Sequence, residues 1–205
     1  MRRLLRVLPL VAMLAAAQTA GEWKPLFDGV SLKDWQETPF SGHGKVTVES
    51  GAIVLGAGAM TGVNFTAPFP STNFELRLEA MRVEGDDFFA GITFPVRGSN
   101  LTWIVGGWGG TVVGLSSLDH LDASENDSSI SRTFESNHWY ALRLRVEDHR
   151  IQAWIDAAQV MDEDISKREL ELRPGEIELS KPLGIASYWT KAKLRKLEYR
   201  PLAGR

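Results

Sequence analysis

Short segments in which apolar and charged residues strictly alternate recur along this chain of 205 residues. The clearest runs from Phe74 to Ala80 and reads Phe-Glu-Leu-Arg-Leu-Glu-Ala, and another spans residues 139–146. Successive side chains of a β-strand point to opposite faces, so these segments predict strands with one buried and one solvated face. Turn signals separate them, and no internal repeat is present. Many short strands of this kind predict an all-β sandwich.

Strands and hairpins are predicted over most of the chain, at residues 46–55, 74–80, 88–94, 139–155, 183–188 and 192–202. In the last segment the alternation shifts by one residue near Lys196, which predicts a β-bulge. Trp139 and Trp154 lie in alternating strands and are expected to face the core. Ser166 to Leu172 is predicted to form one short helix, because Pro174-Gly175 stops it.

A glycine-rich stretch from Trp103 to Leu115 stands out between two apolar runs. The runs at 103–105 and 111–115 favour strands, since branched and aromatic side chains suit a pleated, half-buried surface. Glycine pairs on both sides of Trp108 favour a turn or bulge with close backbone approach. Trp108 is then either a flat platform for a ligand such as a sugar ring, or a space-filling core residue.

The first twenty residues have the pattern of an export signal. Arg2, Arg3 and Arg6 precede an apolar stretch from Val7 to Ala17, and cleavage is expected after Ala17 or Ala20. That stretch is too short to span a bilayer, and no other apolar run of spanning length follows. We therefore expect a single exported domain at residues 21–205, periplasmic or secreted, with no membrane span.

Charge and cysteine content exclude several classes of protein. Removing residues 1–17 removes three arginines and leaves 20 basic and 26 acidic residues, a formal charge of −6. Nucleic acid and anionic membrane surfaces need a basic footprint, so neither is expected as a partner. The chain contains no cysteine, which excludes disulfides, thiol catalysis and cysteine-ligated metal.

Several short motifs, taken in order, resemble the 3-keto-disaccharide hydrolase domain family. The opening pattern of that family is matched by Trp23, Leu26-Phe27-Asp28-Gly29, Ser31-Leu32 and Trp35. Later matches are the Phe74–Glu79 strand, the pair Trp139-Tyr140, Trp154-Ile155-Asp156, Pro182 to Ile185, and Pro201-Leu202. The resemblance implies an antiparallel jelly-roll β-sandwich of the concanavalin A-like lectin/glucanase type, in an exported protein.

One departure from the family pattern indicates a divergent branch. The usual Gly-Asn-Ser-Gly-Ile is replaced by the segment from Gly85 to Ile92, and the usual Tyr-Glu-x-Gln strand by Leu101 to Val105. Function resides in sites and not in folds, so activity transfers less directly than architecture.

The resemblance implies a 3-keto-glycoside as substrate. The ketone acidifies the proton on C2, so one base can start elimination of the glycosidic oxygen across C1–C2. The adjacent Asp119 and His120 are the first candidates for that base, and Asp87 and Glu125 are the next. A sugar groove is predicted to include Trp103, Trp108 and Asp86. The Glu-x-Asp-x-x-Glu pattern of two-carboxylate glucanases is absent from the sequence.

Each of these assignments has a simpler alternative. His120 also fits a surface histidine in a polar loop, and Asp86-Asp87 fits a solvated turn. A divalent metal, calcium or catalytic, is a possible cofactor, since oxygen ligands at Asp119, Asp122, Glu125, Asn126 and Asp127 suit calcium. The same loop also fits a solvated acidic segment. For the whole protein, the alternative to a hydrolase or lyase is a non-catalytic, lectin-type carbohydrate-binding module.

Overall fold

The computed structural model describes residues 20–203, so nearly all of the predicted export signal lies outside the described range. These residues form two antiparallel β-sheets that pack face to face, as the alternation predicts. Within residues 20–203, no helix is long and apolar enough to cross a membrane.

The first sheet has eight strands. Its strands, in chain order, are β1 (Lys24–Pro25), β3 (Val46–Glu49), β4 (Ala52–Leu55), β6 (Phe74–Glu84), β11 (Tyr140–Val146), β12 (Arg150–Ile155), β13 (Ala158–Asp164) and β15 (Lys191–Pro201). They are arranged in the order β13-β12-β11-β6-β15-β4-β3, with β1 paired to β15. The predicted bulge is confirmed, because the β15–β6 register shifts between Arg195 and Glu198.

The second sheet has seven strands. They are β2 (Trp35–Glu37), β5 (Thr61–Phe65), β7 (Ala90–Val96), β8 (Ser99–Gly107), β9 (Val112–Ser116), β10 (Ile130–Ser131) and β14 (Gly184–Ser187), in the order β10-β9-β8-β7-β14-β5-β2. The glycine-rich stretch therefore forms a β8–β9 hairpin, with a register shift between Val105 and Gly107.

The core lies between the sheets and follows the alternation of each strand. On β6 the inward residues Phe74, Leu76 and Leu78 are buried, while Arg77 is exposed. On β8 the inward residues include Trp103, which has no exposed surface. Unlike β6, β7 is buried along its whole length. The outer face of the seven-stranded sheet is therefore covered by loops, and these loops build the site described below.

The outer face of the eight-stranded sheet carries stacked tryptophans and ion pairs. Trp139 and Trp154 lie there, half-buried, with the guanidinium carbons of Arg195 and Arg143 at 4.0 and 3.8 Å from their ring centroids. The expectation that these two tryptophans face the core is wrong. Tyr140 after Trp139, and Ala153 and Ile155 on either side of Trp154, are buried and take the inward positions, so each tryptophan falls on the outward phase of the alternation.

Residues 165–175, which we call the strap, connect β13 to a 3-10 helix at Glu176–Ser180. The helix predicted at Ser166–Leu172 is wrong. After a turn at residues 166–167, the strap pairs with the loop after β9: Ser117 N donates to Glu171 O at 2.8 Å, and Asp119 N donates to Glu169 O at 3.0 Å. Those contacts and the Leu118–Leu170 bridge supply the backbone partners that a helix would otherwise supply internally.

Candidate functional site

A cavity of about 460 Å³ opens on the outer face of the seven-stranded sheet. Its base is formed by Thr102 and Ile104 of β8 and by Ser116 of β9. Strand alternation explains their position, because their chain neighbours Trp103 and Leu115 occupy inward positions in the core. The side walls are loops: residues 59–60, residues 87–88, the β8–β9 turn, the loop after β9, and the strap with the helix that follows it.

Three aromatic side chains line this cavity. The rings of Phe88 and Tyr188 are stacked, with centroids 5.7 Å apart and an interplanar angle of 19°. Trp108 lies in the β8–β9 turn, and 41% of its surface is exposed. Cavities that combine aromatic walls with a few polar groups are typical of small-molecule sites.

The β8–β9 turn positions Trp108 through its glycines. Gly110 has φ +96°, and a Cβ there would lie 2.7 Å from Arg82 Nη1 and 2.9 Å from Asp86 O. Gly109 N donates a hydrogen bond of 3.3 Å to Asp87 Oδ2. The same turn therefore presents Trp108 and fixes one oxygen of the Asp87 carboxylate beside it.

Gly110→Ala is expected to destabilise the protein more than Gly98→Ala. Both glycines have positive φ, which costs an L-residue about 1–2 kcal/mol, but a Cβ at Gly98 meets nothing within 4 Å. The clash at position 110 adds about 1–3 kcal/mol. Denaturant unfolding of the two variants measures the difference, and equal losses would contradict the packing described for this turn.

Asp87 is held by backbone groups. Its Oδ1 accepts a hydrogen bond from Phe88 N at 2.7 Å. The Thr190 hydroxyl accepts from the Asp87 N–H and donates to the Asp87 carbonyl, both at 3.1 Å. Among residues 20–203, no lysine, arginine or histidine forms an ion pair with it. Asp87 is therefore a positioned carboxylate in the cavity wall that no cation neutralises.

A second carboxylate, Asp122, is paired with a cation. Its Oδ1 accepts hydrogen bonds from Ser116 Oγ at 2.5 Å and Ala123 N at 2.8 Å, while its Oδ2 lies 2.9 Å from Arg173 Nη1. The Asp122 side chain is largely buried and that of Arg173 is 61% exposed. Arg173 comes from the strap, so the pair joins two walls and holds a guanidinium at the cavity.

Glu176 supplies a third carboxylate, from the first turn of the 3-10 helix. Its Oε2 accepts a hydrogen bond of 2.8 Å from Ser41 N, and the adjacent Ile177 adds apolar surface. The cavity lining thus includes three carboxylates, one guanidinium, two aliphatic hydroxyls and three aromatic side chains, one of them the phenol of Tyr188. Such a set can bind a polyhydroxylated ring and move a proton on it.

Of the seven residues predicted for the site, Asp87 and Trp108 line the cavity. Trp103 does not: it is fully buried between the sheets, where packing is its role. Asp86 is exposed in the turn before β7 and does not line the cavity. Glu125 is exposed, and its Oε2 accepts a 3.4 Å hydrogen bond from Asp122 N within its own loop.

Asp119 and His120, the remaining pair, fasten the strap and do not line the cavity. His120 Nδ1 lies 2.7 Å from Glu171 Oε1, and its Nε2 lies 2.8 Å from Glu169 Oε2. Asp119 accepts hydrogen bonds from Arg168 Nη1 at 2.6 Å and from Glu169 N at 2.8 Å. Because the strap carries Arg173, these contacts support the cavity wall from outside.

The hydrogen bond and charge of Glu171, with the charge of Glu169, raise the pKa of His120 above its ordinary 6.5. The hydrogen bond from Arg168, followed by that from Glu169 N, lowers the pKa of Asp119. A raised histidine pKa means that the charged form is favoured in the folded protein. Its stabilisation is complete below about pH 6.5 and is lost as the pH rises through the raised pKa.

His120→Gln is therefore expected to be less stable than the unmodified protein at acidic pH and to have the same stability at alkaline pH. Unfolding midpoints measured from pH 5 to 9 test this, with His149→Gln at an exposed turn as the matched variant. A stability difference for His120→Gln that grows as the pH rises would contradict the assignment.

The carboxylates that were considered as calcium ligands or as part of a solvated acidic loop are paired with arginines of the strap. Asp119 and Asp127 contact Arg168, and Asp122 contacts Arg173. Asn126 is buried, and its amide donates to the carbonyls of Leu115, Leu121 and Asp122, which ties the loop together. Among residues 20–203, no group of three or more metal-ligating side chains is arranged to hold an ion.

Three charged residues that line the cavity, Asp122, Arg173 and Glu176, are not among the seven named for the site. Asp122 belongs to the acidic loop that was considered for calcium, so its residue type alone already indicated a candidate functional carboxylate. Arg173 and Glu176 carry no local signal, because their contacts at the cavity are with distant segments: Arg173 with Asp122, and Glu176 with Ser41.

The fold and this cavity define the class of protein: a galectin-like jelly-roll β-sandwich of the kind found in carbohydrate-active and carbohydrate-binding proteins. The chain belongs to the family described as the 3-keto-alpha-glucoside-1,2-lyase-like domain, which matches residues 22–198. The family predicted from the short motifs is thus confirmed. No curated protein matches the chain.

Solved structures share the fold at low sequence identity. A Bacillus subtilis protein of unknown function with a galectin-like fold is 11% identical, with a TM-score of 0.62 over 92% of this chain and 99% of that one. A candidate glycosyl hydrolase from Parabacteroides distasonis is 11% identical, with a TM-score of 0.59 over 89% and 94%. The carbohydrate-binding module CBM66 from Bacillus subtilis is 13% identical, with a TM-score of 0.53 over 80% and 93%. These likenesses establish the architecture.

Proposed function

We propose that this protein is an exported enzyme that cleaves 3-keto-glycosides in the cavity on its seven-stranded sheet. The observation that carries the proposal is one cavity in which Asp87, Arg173 and Trp108 meet. The family is carbohydrate-active. The proposal adds the keto substrate, the residues and their roles.

Asp87 is the proposed base, because no cation neutralises it and it lies beside Trp108. A sugar ring stacked on Trp108 presents its edge to this carboxylate. Asp87 removes the C2 proton, whose acidity comes from the neighbouring C3 ketone, and the C2–H electrons form the enolate. The C1–O bond then breaks as the C1=C2 bond forms, and the departing oxygen takes up the proton held by Asp87.

Arg173 is the proposed hydrogen-bond donor to the ketone oxygen. Its guanidinium has five N–H donors, and the contact with Asp122 fixes its direction. Negative charge develops on the ketone oxygen during proton removal, and a positioned cation stabilises that charge. Asp122 is correspondingly less suited to act as the base, since it shares Arg173 and accepts two further hydrogen bonds.

A direct test supplies protein starting at Gly21 with a 3-keto-glycoside and, separately, with its unoxidised parent, and follows sugar release with and without a chelator. Release from the keto form alone supports the proposal. Loss of release with chelator assigns a divalent metal to the reaction, which this mechanism does not require. Cleavage of the unoxidised parent at the same rate contradicts the ketone-dependent mechanism.

Binding without cleavage of either sugar supports the second reading, a lectin-type binding module. The half-exposed Trp108 favours that reading, because a flat aromatic platform binds sugar without any proton transfer. The structural likeness to a carbohydrate-binding module is compatible with it.

Export is part of the proposal and has its own test. Expression with and without residues 1–20, followed by cell fractionation, is expected to find the protein outside the cytoplasm only when those residues are present. Equal distribution of the two forms would contradict export by this segment.

A further inference from the structure

The cavity on the seven-stranded sheet has a polar half and an apolar half. The polar half lies over β8 and β9, where Thr102 and Ser116 form the base and Asp122 pairs with Arg173. The apolar half lies toward β14 and β5. The side chains that line it are those of Ala59, Met60, Phe88, Ile177 and Tyr188. Three strand spacings separate β9 from β14, about 14 Å in all.

Four segments of the chain build the apolar half. Residues 59–60 directly precede β5, and Tyr188 directly follows β14, the strand paired with β5. Tyr188 N donates to Phe88 O at 3.0 Å, and the two rings are stacked. The 3-10 helix contacts both β5 and β14, and its Ile177 packs in one cluster with Phe88 and Met60. The apolar surface is therefore continuous across these segments.

The apolar half has few polar side chains for a hydroxylated ligand. Of the polar side chains in the cavity lining, the phenol of Tyr188 and the carboxylate of Glu176 lie there, and Glu176 already accepts a hydrogen bond from Ser41 N. A sugar ring in this half would bury hydroxyls without partners, which is costly. An aromatic ring has no such cost, and the charge of Glu176 disfavours an anionic one.

The roles proposed for Asp87 and Arg173 decide which part of the substrate enters the apolar half. In the sugar ring, C2 lies between C1 and C3. Since Arg173 binds the oxygen on C3 and Asp87 removes the proton on C2, C1 lies on the side of Asp87 away from Arg173. Phe88 follows Asp87 in the cavity wall, and Tyr188 stacks on Phe88. The group that departs from C1 therefore meets the apolar half.

We propose that this departing group is an uncharged aromatic alcohol, so that the substrates are aryl 3-keto-glycosides. The inference rests on the proposed function and adds the class of the departing group. The C1–O bond breaks, and the phenol leaves with the proton that Asp87 took from C2, so no further reactant is needed. The aromatic ring stacks on Tyr188 and contacts the thioether of Met60, an adaptable partner for aromatic rings.

Calorimetric titration of three α-glucosides that differ only in the group on C1 tests this inference. The groups are phenyl, methyl and, in maltose, a second glucose. The unoxidised forms are titrated into the unmodified protein, and the 3-keto forms into Asp87→Asn, which is expected to bind them without turnover. The phenyl glucoside is expected to bind about tenfold more tightly than the methyl glucoside. Maltose is expected to bind no more tightly than the methyl glucoside.

Met60→Gln provides a second, independent measurement. The substitution keeps the length of the side chain and places a polar amide in the apolar half. It is expected to weaken binding of the phenyl glucoside several-fold and to leave binding of the methyl glucoside unchanged. Ile130→Gln is the matched variant, because Ile130 is an exposed apolar residue of β10 that does not line the cavity. It is expected to change neither.

Four results overturn the aromatic subsite. They are equal binding of the phenyl and methyl glucosides, binding of maltose as tight as that of the phenyl glucoside, equal weakening of both glucosides in Met60→Gln, and no binding of any ligand in either form. Preference for phenyl in a protein that cleaves no 3-keto-glycoside would refute the proposed enzyme and leave the subsite standing. Cleavage of 3-keto-glycosides without that preference would refute the subsite alone.

Discussion

Asp87→Asn is expected to lower kcat/KM for a 3-keto-glycoside by about 10²- to 10⁴-fold, the usual contribution of a general base. The amide keeps the size of the carboxylate, and its single oxygen can keep the shorter hydrogen bond, from Phe88 N, while the 3.3 Å hydrogen bond from Gly109 N is lost. It cannot take up a proton at neutral pH. The change therefore removes proton abstraction and leaves the wall of the cavity in place.

The measurement is initial-rate kinetics together with an unfolding curve for each variant. Asp86→Asn is the matched variant, because it removes one neighbouring carboxylate that does not line the cavity. It is expected to retain activity, as is His120→Ala at pH values where the strap stays folded. Full turnover in Asp87→Asn would exclude Asp87 as the base and transfer that role to Glu176.

Trp103→Ala is expected to cost about 3–5 kcal/mol of unfolding free energy, the range for truncating a buried aromatic residue. Trp103 has no exposed surface and lies among apolar residues of both sheets. Its removal leaves a cavity that β8 cannot close without breaking its pairing with β7 and β9. Denaturant unfolding measures the loss.

Two variants make this result specific. Trp103→Phe keeps most of the ring and removes an indole N–H that has no hydrogen-bond partner among residues 20–203, so it is expected to cost much less than Trp103→Ala. Trp108→Ala is expected to retain stability and lose sugar binding, since Trp108 is 41% exposed at the cavity. A larger stability loss in Trp108→Ala than in Trp103→Ala would reverse the two assignments.

Local patterns predicted part of the site, and the reason is visible in the β8–β9 turn. Trp108 between glycine pairs and Asp87 after a turn glycine are both local signals, and the turn brings them together through Gly109. Trp103 has the same residue type as Trp108 and lies five positions earlier in the same stretch. Trp103 takes an inward position of β8, whereas Trp108 lies beyond the end of β8 in the turn, where its side chain lines the cavity.

Residues distant in the chain could not be predicted. Arg173 meets Asp122 because the strap, in which a short helix was predicted, runs antiparallel to the loop after β9. His120 looked like a base because an imidazole follows a carboxylate. Its ion-pair partners are Glu169 and Glu171, so His120 holds the strap against the loop after β9.

By itself, the sequence determined the sandwich, its main hairpins, the bulge near Lys196 and the family. These follow from the two-residue period of strands and from motifs in contiguous residues, which are local properties of the chain. Tertiary structure alone decided which strand phase faced the core, which loops met over the seven-stranded sheet, and which carboxylates formed ion pairs with a cationic side chain. Those outcomes depend on pairing between distant segments, and no local pattern encodes that pairing.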